Sequence, residues 1–467
     1  MTLRKEILFV LFLPIVLVAQ EQPTLRLDDD VRGVYDNDLL SADFHRGRRE
    51  ALRALLPKDG VAIFFANPVR NRSNDVDFEY HQDPDFYYLT GLREPDAVLF
   101  VFKEPREIAD GSHGELLVLR DRDPSREVWD GHRTGTTGAV QFLGLGKAVS
   151  GKEFMVDTLP WKEKDKVYIR STKENLSRDP HDPADLADLM DRVNGTILPG
   201  TQQEQESLDR WMAGLREVKL PEEMVLMRKA IDITCEAQNE LMRKLEPEMT
   251  EYQTEAIVEF VFKMNGAEHE GFPSIQGGGP HSCVLHYVTN RRTLGSGDLL
   301  VSDIGAEYHG YTADVTRTLP ANGKFTSDQR KIYDLVLAAQ EAGIREVRAG
   351  NQFRAAHNAA TTVISKGLKE LGIIQDEGDV RRYFMHGTSH YLGLDVHDAG
   401  SYGPLAAGNV ITVEPGIYIA KDSPCDPRWW EIGVRIEDDI LVTDGDPINL
   451  SAGSPRKAEE IEAVMAE

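Results

Sequence analysis

The stretch 299–318, LLVSDIGAEYHGYTADVTRT, constrains this chain more than any other. Two apolar-rich runs flank a polar turn, and each run carries one aspartate, Asp303 and Asp314. A tight turn centred on Tyr308-His309 sets Glu307 against Gly310 and, counting outward, Asp303 against Asp314. Cross-strand neighbours on one face stand about 5 Å apart at Cβ. Two carboxylates that close between apolar strands repel unless a cation lies between them.

At 467 residues the chain is too long for one ordinary core, so two or three domains are expected. Its 53 Lys and Arg against 78 Asp and Glu leave a net charge of −25, spread along the chain. Such a surface repels nucleic acid and anionic membranes, and neither is expected as a partner. The first residues differ: Arg4 and Lys5 precede an apolar run at 7–18, and the small Ala19 follows. About a dozen apolar residues are short for a bilayer span but fit a secretory signal. Residues 1–19 are read as a signal peptide and the protein as exported, periplasmic or secreted; the alternative is an uncleaved anchor. Cys235, Cys283 and Cys425 are too few and scattered for a disulfide framework, although one bridge would be possible.

Residues 20–41 are polar and read as a connector. A helical pattern at 46–56 is followed by strand patterns at 61–65, 97–102 and 115–119. Strands alternating with helical stretches define a first α/β domain over 42–200. Inside it, 80–91 (YHQDPDFYYLTG) and 129–135 (WDGHRTG) read as ordinary packed loops or strand edges. A linker, itself helical in composition, is placed at 201–220. The second domain, 221–467, is α+β. Its helices are expected at 221–245, 251–265, 329–349, 353–371 and 457–466, and its strands at 299–304, 311–318, 410–413, 417–420 and 434–442. The QGGGP run at 276–280 has neither the Lys-Ser/Thr of a phosphate loop nor dinucleotide-site spacing, and reads as a backbone turn. Helices followed by an acid-bearing strand pair occur twice, first with Asp303 and Asp314, then with Glu414 and Glu437.

Singly, each of these acids has a bland solvent-facing reading, and the histidines of HGTSH at 386–390 could be loop residues bonded to backbone. Together they do not. Glu414 ends the apolar run 410–413, and Glu437 follows Val434 and Ile436. Acids at buried positions need pairing or a metal. Four carboxylates and one imidazole suit Mn²⁺, Fe²⁺, Co²⁺ or Zn²⁺. Two ions sharing carboxylates balance that charge better than one, and such a pair activates water and polarises a carbonyl. No Gly-x-Ser-x-Gly elbow or His-Glu-x-x-His pair competes; Glu268-His269-Glu270 has the wrong spacing.

Asp303 with Asp314, HGTSHYLGLDVHD at 386–398, VEPGIY at 413–418 and RIEDD at 435–439 resemble the pita-bread (creatinase/aminopeptidase) metallopeptidases. Within them the resemblance is to the Xaa-Pro aminopeptidase (aminopeptidase P) family. It runs from about residue 42 to the terminal helix and includes YHQDPDFYYLTG, which is similar to that family's N-terminal domain and much less like the methionine aminopeptidases.

The resemblance implies a pita-bread catalytic domain behind an aminopeptidase P-like α/β domain. It implies a dinuclear enzyme that removes the first residue from peptides with proline second, by attack of a metal-held hydroxide on the Xaa-Pro bond. Asp303 would chelate one ion, Asp314 and Glu437 would bridge both, and His390 and Glu414 would complete the second, with manganese the first expectation. His286 and His397 would hold substrate and the tetrahedral intermediate, and His386 and Arg435 would line the proline pocket. Glu414 would carry the nucleophile's proton to the leaving nitrogen. Dimers or tetramers are implied. The alternatives are a prolidase, confined to Xaa-Pro dipeptides, and a non-catalytic peptide-binding module, which would be expected to lose ligands.

Overall fold

A computed structural model describes residues 38–108, 111–156, 161–162, 164–170, 176, 178 and 184–467. The expected signal peptide at 1–19 and most of the connector lie outside these residues. Among the described residues no helix is long and apolar enough to cross a membrane. Cys235, Cys283 and Cys425 are all free thiols.

Helix α1 (Ala42–Leu55) starts earlier than its apolar pattern because Ser41 caps it, its hydroxyl accepting from the Phe44 N–H at 3.2 Å. The strands β1 (Gly60–Phe65), β2 (Val98–Ile108), β3 (Gly111–Leu119), β4 (Ala148–Ser150), β5 (Lys166–Ile169) and β6 (Gln203–Glu204) form one sheet in the order β4-β3-β2-β1-β5-β6. Strand β1 runs antiparallel to β2 and parallel to β5. It is apolar throughout because both its faces are covered. Val61, Ile63 and Phe65 join one apolar cluster with Leu189 and Val193, while Ala62 and Phe64 join the main core.

Three expectations change here. Residues 80–91 are not a loop or strand edge but contain helix α2 (Pro84–Thr90), with Asp83 accepting from the Phe86 N–H at 2.9 Å and Gly91 ending it at φ 71°. An N-cap aspartate followed by proline overrides the aromatic run, whose Phe86 and Tyr88 are fully buried. Trp129 lies in a short helix, Pro124–Asp130, and is 84% exposed, while Arg133 and Gly135 further along the segment are buried, so only its later part is packed. Residues 201–220 are not a free linker: β6 extends the first sheet, and helix α3 (Glu206–Arg216) inserts Leu208 and Met212 into the core.

The second domain has helices α4 (Pro221–Lys244), α5 (Glu251–Met264), α6 (Ser327–Arg345) and α7 (Ala355–Glu370), close to expectation. Its first strand group contains β7 (Ile275–Gly278), β8 (Leu299–Ile304), β9 (Ala306–Tyr308), β10 (Tyr311–Thr312) and β11 (Val315–Pro320); its second contains β12 (Val410–Val413), β13 (Gly416–Ile419), β14 (Ile432–Arg435) and β15 (Asp438–Leu441). The glycine run expected as a turn is largely strand β7. Glycine is required there because a Cβ on Gly277 would meet the His281 carbonyl oxygen at 2.8 Å.

The hairpin register differs from the one counted from sequence. The turn centres on His309-Gly310, at φ 50° and 84°, with Tyr308 opposite Tyr311, so Asp303 faces Thr316 and not Asp314. Positive φ at both central positions is what a type I′ hairpin turn demands, and Gly310 supplies it without strain. A slip of two residues keeps every side chain on its face. Asp303 and Asp314 therefore become diagonal neighbours instead of direct ones.

The strands expected at 311–318 and 434–442 are each broken, and the breaks fall at the acids. Asp314 lies between β10 and β11, Glu414 between β12 and β13, and Glu437 between β14 and β15. The amides freed by these breaks find partners elsewhere. Asp314 N–H donates to Asp439 at 3.2 Å, Glu414 N–H to the Thr388 carbonyl at 2.9 Å, and Glu437 N–H to the Thr316 carbonyl at 3.1 Å. Helix α4 serves the same purpose from behind. Gln238 donates to the Ser302 and Val315 carbonyls at 3.0 and 2.8 Å, and the Thr234 hydroxyl accepts from Ala306 N–H at 2.9 Å.

Gly305 sits in the break of the first pair, where a Cβ would lie 1.9 Å from the Ala313 carbonyl oxygen. Gly305→Ala should lower stability by about 3 kcal/mol, the scale of overpacking a tight core. Gly297→Ala, whose Cβ would meet nothing within 4 Å, is the control. Denaturation midpoints of the two variants test this; equal midpoints would refute it.

Candidate metal and active centre

All nine residues singled out in the sequence line one cavity of about 480 Å³: Asp303, Asp314, Glu414, Glu437, His286, His386, His390, His397 and Arg435. Asp314, His390 and Glu437 each bring one ligand atom within 4.8 Å of the others. The His390 ring is oriented by its Nδ1–H, which donates to the Tyr391 carbonyl at 3.0 Å. Its Nε2 then faces Asp314 Oδ2 at 3.4 Å and Glu414 Oε1 at 3.7 Å. With the proton on Nδ1, these are lone pairs aimed at lone pairs, a geometry that calls for a cation.

The carboxylates are fixed by neighbouring side chains. Thr316 Oγ1–H donates to Glu437 Oε2 at 2.6 Å, and Arg435 pairs with Asp303 Oδ2 at 2.5 Å. Asp303 Oδ1 and Asp314 Oδ1 are buried with no protein partner. Burial first, and neighbouring acids second, hold the Asp314 and Glu437 carboxyls well above the ordinary range. Burial pushes Glu414 up to about 7, with His390 and Arg435 pulling the other way. Hard, crowded oxygen donors plus one imidazole nitrogen fit divalent metal ions.

Arg435 lines the cavity but commits its donors locally, to Asp303, to Thr316 at 3.2 Å, to the Tyr418 hydroxyl at 2.9 Å and to the Leu285 carbonyl at 3.3 Å. Tyr418 stands 2.9 Å from His386 Nε2, while His386 Nδ1–H donates to the Gly387 carbonyl at 2.6 Å. An ordered chain Arg435–Tyr418–His386 results. The His397 ring lies 4.2 Å from that of His390, and burial with its imidazole neighbours lowers its pKa to about 4. His286 projects from a loop held by Glu251, which is fully buried and accepts from Gly278 N–H, Arg292 N–H and the Tyr287 hydroxyl at 2.9, 2.7 and 2.9 Å.

Several supporting residues escaped the sequence reading. Asp439 binds the Asp314 amide, and Tyr418 joins Arg435 to His386. Both lie inside motifs already singled out, so proximity to the ligands was the available signal. Glu251, at a helix start, had none beyond the N-terminal preference for acids.

The crowding has a measurable sign. A carboxyl whose folded pKa exceeds its unfolded value adds stability below the unfolded value, and loses it as pH rises through the folded one. Metal-free protein should therefore lose melting temperature as pH rises from 4.5 to about 7, the window set by Glu414. Divalent cation should flatten that slope. Asp314→Asn should raise the metal-free melting temperature at pH 8 by about 2–4 °C and blunt the response to Mn²⁺. Thermal melts with chelator and with Mn²⁺ check all three; melts indifferent to pH and metal would refute them.

Comparisons with known proteins agree with this geometry. Residues 225–444 match metallopeptidase family M24, and residues 45–168 match the aminopeptidase P N-terminal domain. The chain is 37% identical over 448 residues to the Xaa-Pro aminopeptidase of Escherichia coli, covering 92% of this chain and 98% of that protein. Xaa-Pro aminopeptidase 3 of Homo sapiens is 33% identical over 444 residues, covering 90% and 85%. Proline aminopeptidase P II from Yersinia pestis superposes with a TM-score of 0.83 at 35% identity, covering 91% of this chain and 100% of that one. Escherichia coli aminopeptidase P with the inhibitor Pro-Leu superposes at 0.82 with 36% identity, covering 92% and 99%. With its aminopeptidase P-type first domain and pita-bread second domain, the chain is a hydrolase belonging to the aminopeptidase P branch of metallopeptidase family M24.

Proposed function

We propose that this protein removes the N-terminal residue from peptides with proline in the second position, using two divalent metal ions, with manganese the first choice. The observation that carries the reading is the single cavity in which four acids, His390 and the remaining sequence-selected residues converge around unpartnered carboxylate oxygens. Asp303, Asp314, His390, Glu414 and Glu437 would hold the metals. Bound there, divalent ions supply Lewis acidity and a nucleophilic water at neutral pH.

The chain's own groups do the rest. The acid-rich wall attracts the free, cationic amino terminus of a peptide. Glu414 opens on the cavity beside His390 and His386, at 3.7 and 3.5 Å. There its carboxylate takes the proton of the attacking water and returns it to the prolyl nitrogen, a poor leaving group until protonated. His397, held neutral, offers an N–H to the developing oxyanion, and His286 faces the same space. The Arg435–Tyr418–His386 chain sets the wall against which the proline ring packs.

The lone apolar run at 7–18 supports export as part of this reading, which N-terminal sequencing of the mature protein checks. A homo-oligomer belongs to it too, with sedimentation as its measurement.

Purified protein with Mn²⁺ should release the first residue from Xaa-Pro-Xaa tripeptides and lose that activity to chelator. Glu414→Gln should lower kcat by about 10³-fold and His397→Ala by about 10²-fold. Turnover of Gly-Pro alone would favour a prolidase, and chelator-resistant turnover would overturn the proposal.

A further inference from the structure

A second cavity, of about 810 Å³, adjoins the first and shares His386, Gly387 and Ser389 with it. Among its lining residues Arg354 and Arg381 are exposed, as are the apolar Met385 and Tyr402. None of its lining residues is acidic. In a chain with 78 acids and 53 basic residues, an acid-free groove bearing two guanidinium groups stands apart from the general surface.

The two arginines line the same groove as His357, which is anchored by Thr388 at 2.9 Å. Arg354 stands at the N-cap position of α7, and Arg381 lies in the turn Glu377–Arg382 before the 386–390 loop. The groove is therefore built from the start of α7, from the segment that leads into the active cavity, and from Tyr402. A fixed segment, not a terminus, presents the charges.

Peptide polarity completes the argument, which rests on the function proposed above. The amino terminus lies toward the carboxylates, so the rest of the substrate leaves past His386, where the two cavities meet. We propose that the second cavity binds the part of the peptide beyond proline, and that Arg354 and Arg381 select acidic residues in that part. The exposed Met385 and Tyr402 give the same peptide apolar contact, while the guanidinium groups pair with its carboxylates.

The test uses the full-length protein with Mn²⁺ and amidated hexapeptides beginning Ala-Pro. One Glu or one Lys is walked through the four later positions, and an Ala-Pro-Ala amide serves as the short reference. Glu at one or more of these positions should raise kcat/KM about fivefold over Lys, through KM, and 0.5 M salt should shrink the difference. Arg354→Glu with Arg381→Glu should abolish or invert the preference and leave the short reference unchanged. Equal kcat/KM across the charge series, or a preference that survives in the double variant, would overturn the inference while leaving the proposed activity intact. No turnover of any Ala-Pro peptide, the short reference included, would overturn both.

Discussion

Everything in the second domain is arranged around the cost of crowding negative charge where water is scarce. Asp314 and Glu437 hold oxygens within 4.8 Å of each other. Two unit charges at that distance repel by about 3 kcal/mol, even at an effective dielectric near 20. Asp303 and Glu414 share the cavity, and Asp439 adds another buried acid behind it. A surface site would relax by swinging the side chains apart. Here Asp303 lies on a strand buried along its whole length, Leu299–Ile304, and Asp314 and Glu414 adjoin two more, Val315–Pro320 and Val410–Val413, so the acids have nowhere to go. Protons or divalent ions must meet the charge instead.

Cationic side chains in and behind the cavity wall decide which oxygens remain for those ions. Arg435 takes one oxygen of Asp303 and leaves the other open. Arg317, fully buried, pairs with Asp438 and donates to the carbonyls of Thr316, Glu437, Ser454 and Pro455. It thereby fixes the backbone under two site residues without entering the cavity. A similar assembly crosses between domains. Arg216, at the end of α3, joins Asp85 of the first domain at 2.6 Å to Asp395 at 2.8 Å and to Asp398, while Lys219 holds Asp398 at 2.7 Å. Asp398 follows His397 directly. Buried ion pairs of this kind fix geometry more than they add stability, and this one ties the first domain to the position of a site histidine.

Much of the site was legible because its chemistry needs particular residue types at particular strand positions. The face shared by Asp303 and Asp314 survived a wrong register, since a slip of two residues preserves strand parity. The turn itself was misplaced by one residue. His309 tolerates positive φ, but Gly310 takes it freely, and the pattern of apolar runs does not report φ. Helix α2 was missed because three successive aromatics obscure a helical period, although Asp83-Pro84 carried the start signal. The network that crosses between the domains was not legible. Arg216 and Asp398 are 182 positions apart, and no local pattern marks them as partners.

The broken strands show why so much of the centre depends on distant contacts. A strand uninterrupted at Asp314 or Glu437 would keep alternating its side chains and spend its amides on the ladder. Interrupting it leaves the carboxylate on its face and frees an amide, which must be paired again. The pairing crosses between the two strand groups in both directions: the Asp314 amide goes to Asp439 of the second, and the Glu437 amide to Thr316 of the first. The Glu414 amide goes to Thr388, in the loop that carries His390, and the Thr412 N–H reaches the His390 carbonyl at 3.0 Å. Each break is thus closed by a residue from a segment that supplies another site group. Neither strand group can adopt its cavity-facing geometry alone, so the spacing of the acids is a property of the docked pair, set before any ion arrives.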